Sequence, residues 1–189
     1  MTKQPLIDFI QLSIPNINVS PEVVTTISER FEEQDLMKDE FLLKAGKISA
    51  YYFFLFFFVR AYTYDTEGNE ITTYFYSKDH VIFEAASFFH HTLSTEYMQA
   101  VTPCKVFEIS FETLNTLFHQ FPEFREFARA MLVREFVAYK QRTLSMINKS
   151  AEERYENLMN TNSEIFQHVQ LKHIASYLGI TDTSLSRIR

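Results

Sequence analysis

The sequence predicts an α+β chain: an antiparallel β-roll or jelly roll, then a long helix, then a C-terminal helix-turn-helix. Three observations predict it. Residues 36–110 follow the two-residue period of strands, with short turns between the runs and no βαβ alternation. From about Pro122 to Asn148 the apolar residues recur at spacings of three and four. The last twenty residues place a glycine between two short amphipathic segments.

The first part, residues 6–31, reads as helical pieces. Ser20-Pro21-Glu22 is a helix start: a capping hydroxyl, a proline where no amide donor is needed, and an acid at the positive helix end. Residues 51–59 (YYFFLFFFV) are apolar on both faces and predict one strand covered on both sides. Residues 62–64 and 71–76 flank Asp65-Thr66-Glu67-Gly68-Asn69, where Gly68 and Asn69 tolerate positive φ, so a hairpin is predicted. Residues 97–101 and 105–109 add two more strands.

The long helix carries two apolar stripes. One runs through Phe124, Ala128, Leu132, Phe136, Tyr139, Thr143 and Met146; the other holds Val133, Val137, Leu144 and Ile147. Either both form one wide core-facing stripe, or one packs on the β part and the other meets a second copy of the helix. Ser150-x-x-Glu153 is a capping box that starts a new helix and marks a boundary near residue 149. The predicted organisation is therefore 1–120 for the β domain, 121–149 for the long helix and 150–189 for the head.

In the head, Leu171, Ile174, Ala175 and Leu178 form a helix face and Gly179 supplies a left-handed turn. Ile180 fills the angle, Thr181 caps a second helix, and Leu185 and Ile188 point inward. That is a helix-turn-helix whose outward side chains, Thr183, Ser184 and Arg187, can enter a DNA major groove. The alternative is an αα-hairpin that touches no DNA.

Composition bounds the function. The 189 residues carry a net charge of −6, so any nucleic-acid contact needs a local patch. Three glycines leave no glycine-rich phosphate loop. The single cysteine, Cys104, excludes an intramolecular disulfide and a cysteine-ligated cluster, and fits a reducing cytoplasm. It follows Pro103 at a strand entry and reads as a small buried hydrophobe. No apolar run reaches the length of a membrane span, so no membrane partner is expected. His90 and His91, placed on a strand, would point to opposite faces and hold no metal. No nucleophile–base–acid set appears, so no enzyme and no cofactor are expected.

Residues 174–180 (IASYLGI) and 184–189 (SLSRIR) resemble the ending of Crp/Fnr superfamily regulators, especially Bacteroidetes-type members. The resemblance extends through residues 150–155, Phe54-Leu55 with Val59-Arg60, the Asp65–Gly68 hairpin, and Ser87-Phe88 with Ala100. It implies a cyclic-nucleotide-binding-type β-roll, a long dimerisation helix and a C-terminal winged helix that binds double-stranded DNA as a homodimer. It also implies a ligand site at Glu84, Ala85, Ser94 and Thr95. The family's phosphate cassette, Gly-Glu then Arg-Ser/Thr-Ala, falls on Phe83, Glu84, Ser94 and Thr95. The acid and hydroxyl are kept, but the arginine that neutralises the cyclic phosphate is replaced by Ser94 and the glycine by Phe83. Phe57 stands where the family has a glycine bend, and Arg60 lies on a strand outside the cassette. Tight cyclic-AMP binding is therefore not expected, and the roll holds either a different, more apolar small molecule or no ligand. Glu84 serves either a ligand or as a surface or capping carboxylate.

On this reading Lys172, Thr181, Asp182, Thr183, Ser184, Arg187 and Arg189 face DNA, with Arg187 contacting guanine and Asp182 a phosphate-side or cytosine position. Four basic and five acidic side chains give residues 150–189 a net charge of −1, which makes phosphate attraction weak unless the bases cluster. The competing expectation is a ligand-sensing or interaction module that does not bind DNA.

Overall fold

Two short helices come first. α1 (Gln4–Leu12) buries Leu6, Phe9 and Ile10, and α2 (Pro21–Glu29) begins as expected, with Ser20 Oγ accepting from the Val23 N–H. The structure is a computed structural model and describes residues 3–12, 18–49, 51–55, 58–77 and 80–189.

The roll follows: β1 (Glu32–Leu36), β2 (Phe41–Leu43), β3 (Tyr51–Leu55), β4 (Val59–Tyr64), β5 (Glu70–Tyr76), β6 (His80–Ile82), α3 (Ala85–His90), β7 (Tyr97–Ala100) and β8 (Cys104–Ser110). Among the described residues one sheet runs β1-β8-β3-β6 and the other β2-β7-β4-β5, with antiparallel pairing throughout. Val59, Ala61, Tyr74, Ile82, Met98, Ala100 and Val106 pack in one apolar cluster contributed by both sheets. The β4–β5 hairpin turns where predicted. Asp65 Oδ1 accepts from the Glu67 and Asn69 N–H groups, and Gly68 takes φ of +85°.

Two strand expectations are corrected. The apolar run 51–59 is not one strand: β3 ends at Leu55 and β4 starts at Val59 in the other sheet. Phe57, read as replacing a glycine bend, lies outside the described residues. His90 and His91 are not on a strand either. They end α3, with His91 in the left-handed region at φ of 53° and its ring 4.9 Å from that of Phe111.

After the roll come α4 (Phe111–Gln120), α5 (Pro122–Asn148), α6 (Ala151–Thr161), α7 (Ile165–His168), α8 (Leu171–Leu178) and α9 (Asp182–Ile188). The Ser150–Glu153 capping box forms, each residue satisfying the other's backbone N–H. Among the described residues no strand follows α6, so the wing of the expected winged helix is not seen.

α5 departs most from its sequence pattern. Its buried residues are Phe124, Phe127 and Met131, which join the apolar cluster of α1, α2, α4 and the roll, and Glu135. Of the expected stripes, Leu132, Phe136, Tyr139, Met146, Val133, Val137, Leu144 and Ile147 are all exposed. The face turned to the roll continues through Arg142, whose guanidinium donates to strand carbonyls, so it is polar in its second half.

Candidate functional site

Two places carry functional geometry: the head and a cavity against α5. In the head, Ile174, Ala175, Leu178 and Leu185 close over Leu158, Ile165 and Val169. Gly179 ends α8 at φ of 67°, with its N–H on the Ser176 carbonyl and the Ile180 N–H on that of Ala175. Thr181 Oγ1 accepts from the Ser184 N–H and starts α9. Of the residues assigned to DNA from sequence, Lys172, Thr181, Asp182, Thr183, Arg187 and Arg189 are exposed, while Ser184 is half-buried with its hydroxyl on Thr181. Thr183 and Arg187, four apart, share one face of α9.

The other side of the head is fastened to the roll. Ser176 Oγ accepts from the Thr72 N–H at 2.9 Å and donates to the Glu70 carbonyl at 3.2 Å. Arg60, buried in β4, donates through Nε to Thr72 Oγ1 and through Nη1 to Glu70 Oε2, and Nη1 also lies 3.3 Å from His173 Nε2. Arg142 reaches from α5 to the carbonyls of Thr73 and Tyr177, each at 3.0 Å, and its guanidinium lies 4.0 Å from the Tyr177 ring centre. Arg154 adds a bond to the Leu178 carbonyl. Burial, then Arg60 and Lys172, pull the His173 imidazole down to a pKa of about 4. None of these joint residues was singled out from sequence except Arg60. An arginine in an apolar strand was the available signal, since burial of an unpaired charge is costly.

The cavity has a volume of about 480 Å³ and is lined by Glu84, Ala85 and Thr95 from the expected cassette, with Tyr76, Val81, Phe83 and Glu96 from the roll and Leu132, Glu135, Phe136 and Tyr139 from α5. Ser94 is not in the lining. It is buried, its hydroxyl accepting from the Glu96 N–H and donating to the Glu96 carbonyl. Glu84 caps α3, Oε1 accepting from Ala86 and Oε2 from Ser87. Tyr76 and Tyr139 join their hydroxyls at 2.6 Å. Burial raises the pKa of Glu96, and the Glu84 carboxylate raises it further. Burial raises that of Glu135, against the attraction of His80 and Arg134. No Lys, Arg or His lines this cavity among the described residues. The cations sit instead in a cleft at the joint, where Arg142, Lys149 and Arg154 face a space of about 590 Å³ whose lining holds no carboxylate among the described residues.

Elsewhere the chemistry is quiet. Cys104 is buried, and burial pushes its thiol up to about 11. Among the described residues no group of His, Cys, Asp and Glu could hold a metal ion, and no helix is long and apolar enough to cross a membrane.

No protein-family model matches the chain. Its sequence is 27% identical over 169 residues to the fumarate and nitrate reduction regulatory protein of Escherichia coli K12, covering 82% of this chain and 66% of that one. The Yersinia pestis protein of the same name gives the same figures. The chain thus spans just under two thirds of the length of these relatives. In fold it is similar to the c-di-GMP-responsive global regulator CLP of Xanthomonas campestris, with a TM-score of 0.71, 12% identity and 89% of each chain covered. It is also similar to FixK2 of Bradyrhizobium japonicum, with a TM-score of 0.70, 18% identity and coverage of 84% and 82%. In its roll, long helix and helix-turn-helix head, taken in that order, the chain is similar to these regulators and, with a TM-score of 0.69 and 15% identity, to a transcriptional regulator of the Crp/Fnr family from Eubacterium rectale.

Proposed function

We propose that the chain is a DNA-binding transcription regulator of Crp/Fnr type that works as a homodimer. In this reading residues 1–120 form the sensor, 121–149 the dimer seam and lever, and 150–189 the DNA reader. The observation that carries it is the exposed face of α9: α8 is fastened to the roll, yet Thr183 and Arg187 on α9 remain open to solvent. A helix so presented can enter a major groove while its partner helix is held. Lys172, Thr181, Asp182, Ser184 and Arg189 complete the proposed contact. The head's net charge of −1 means that affinity comes from few contacts, doubled by dimer symmetry.

The sensing site is the cavity of Glu84, Ala85 and Thr95, with Ser94 shaping its floor through Glu96. A ligand there touches Leu132, Glu135 and Phe136 on α5, the same helix that carries Arg142 to the head. Occupancy then favours one setting of α5 and so one spacing of the two α9 helices. Among the described residues a cyclic phosphate finds no cation in this lining, which supports an effector other than tightly bound cyclic AMP.

The test is a salt titration of binding to DNA from upstream of the chain's own gene. Affinity should fall steeply with salt, and Arg187→Ala should cost about 1–3 kcal/mol and relax one base position. Salt-independent binding, or an Arg187→Ala variant equal to wild type on every sequence, overturns the reading.

A further inference from the structure

We infer that the cavity between the roll and α5 takes a small organic cation, an ammonium group on an apolar or aromatic body. The inference rests on the reading of the roll as a sensor and adds the chemical class of its ligand.

The charge pattern is one-sided. Three carboxylates, Glu84, Glu96 and Glu135, line the cavity, and among the described residues no basic side chain does. The decisive group is Glu135. Its residue is 5% exposed, and its Oε2 is buried without a hydrogen-bond partner. Its Oε1 pairs with Arg134 Nε at 3.7 Å, an ion pair too long for a hydrogen bond and to a side chain that is itself 38% exposed, and His80 adds a second attraction. A buried carboxylate with an open acceptor is costly, and a native chain that keeps one has a use for it.

An ammonium ion supplies what is missing: a charge opposite to the site's own and donors for the open oxygen. Phe83, Leu132 and Phe136 give the cavity its apolar and aromatic walls, which suit the body of such a ligand and add cation–π attraction. The volume of about 480 Å³ is that of a small-molecule pocket. Among the described lining residues an anion of the same size meets three carboxylates and no donor cation. The arginine of the cyclic-nucleotide cassette is thus not merely lost; the field of the site is reversed. Glu135 lies two turns before Arg142 on the same face of α5, so a cation held by Glu135 acts on the helix that reaches the head.

Three probes of one shape test the charge preference with the full chain at matched ionic strength: 2-phenylethylammonium, 2-phenylethanol and phenylacetate. The ammonium should raise the melting temperature in a saturable way and give a calorimetric isotherm; the alcohol should bind at least tenfold more weakly and the anion not at all. Glu135→Gln should weaken ammonium binding at least tenfold, and Glu96→Gln should weaken it as well. Glu112→Gln, an exposed acid on α4, should leave it unchanged. Phenylacetate or cyclic AMP binding as tightly as the ammonium overturns the inference. So does an ammonium isotherm unchanged by Glu135→Gln, or no binding by any of the three probes. DNA is absent from these measurements, so their failure and the failure of the salt titration are separate results.

Discussion

The Arg60 guanidinium and the His173 imidazole meet across the joint of roll and head, Nη1 and Nε2 3.3 Å apart. Arginine has only donors, so His173 must offer a lone pair at Nε2 and carry its proton on Nδ1. The same Nη1 holds Glu70 at 2.7 Å, and Thr72 takes Nε. One buried cation therefore ties β4, β5 and α8 together, and its link to α8 holds only while the histidine is neutral.

That condition makes the joint sensitive to acid. A freed His173 titrates near 6.5, whereas the docked ring titrates near 4. Between those values the released state binds the extra proton, so docking weakens as pH falls from about 6.5 toward 4 and is level above that window. The ring is only partly buried, so the loss at pH 5 is about 1 kcal/mol after screening is allowed for. Amide exchange in α8 at pH 7.5 and 5.0 should show it. In His173→Gln, which keeps an acceptor but does not titrate, that difference should vanish. Equal pH sensitivity in both proteins would assign the effect to other groups.

Arg142 is the second tie. Its guanidinium satisfies the Tyr177 carbonyl in the last turn of α8 and stacks on the ring of that residue. Arg142→Ala should cost the docking of α8 about 2 kcal/mol, by loss of charged hydrogen bonds. α8 amides should then exchange roughly 30-fold faster, since 1.4 kcal/mol is a factor of ten. β8 amides, at the far side of the roll, should be unaffected. Uniform acceleration throughout the chain would mean that Arg142 supports the whole fold rather than the joint.

Sequence reasoning reached the elements whose signals are local. Ser20, Ser150 and Thr181 cap the helices they were expected to cap, and Gly68 and Gly179 turn where positive φ is needed. It read the inward face of α5 only in part: Phe124 is buried and Leu132, Phe136 and Tyr139 line the cavity against the roll, but apolar periodicity could not report the Glu135 and Arg142 that share that face. The cavity was legible only in outline. Glu84 and Thr95 line it, but Ser94 turned inward to its own backbone neighbour, and Glu135 and Glu96 came from segments distant in sequence. Long-range partners of this kind leave no mark on spacing.

Gly179 gives a sharper test of the head's turn. A Cβ there would sit 2.5 Å from Met146 Cε, the mobile end of a long side chain, so the steric clash is relieved by rotation. The backbone cost remains: φ of 67° is left-handed and disfavours alanine by about 1–2 kcal/mol. Gly179→Ala should lower stability by that amount in urea titrations, and Met146→Ala in the same background should recover little of it. A large recovery would make crowding, not backbone conformation, the reason for the glycine.

The exposed face of α5 makes the last prediction. Val133, Val137, Lys140, Leu144 and Ile147 follow alternating spacings of four and three, the seam of a two-helix coiled coil, and the four apolar members are 38–76% exposed in the single chain. Leu144 borders the cleft at the joint, while the head's ties to the roll and to α5 run through β5 and Arg142. On the homodimer reading this row meets its copy, and Lys140 is the polar interruption that fixes register at a cost in affinity. Val137→Asp should therefore shift sedimentation to the monomer mass while α8 amide protection stays as in wild type. Lys140→Leu should tighten the dimer about tenfold, as expected when one seam lysine is replaced by a packed side chain worth roughly 1.4 kcal/mol. A wild-type chain that sediments as a monomer at micromolar concentration, or a Val137→Asp variant that remains a dimer, would remove α5 as the seam. The doubled contact on which DNA affinity depends would then need another source.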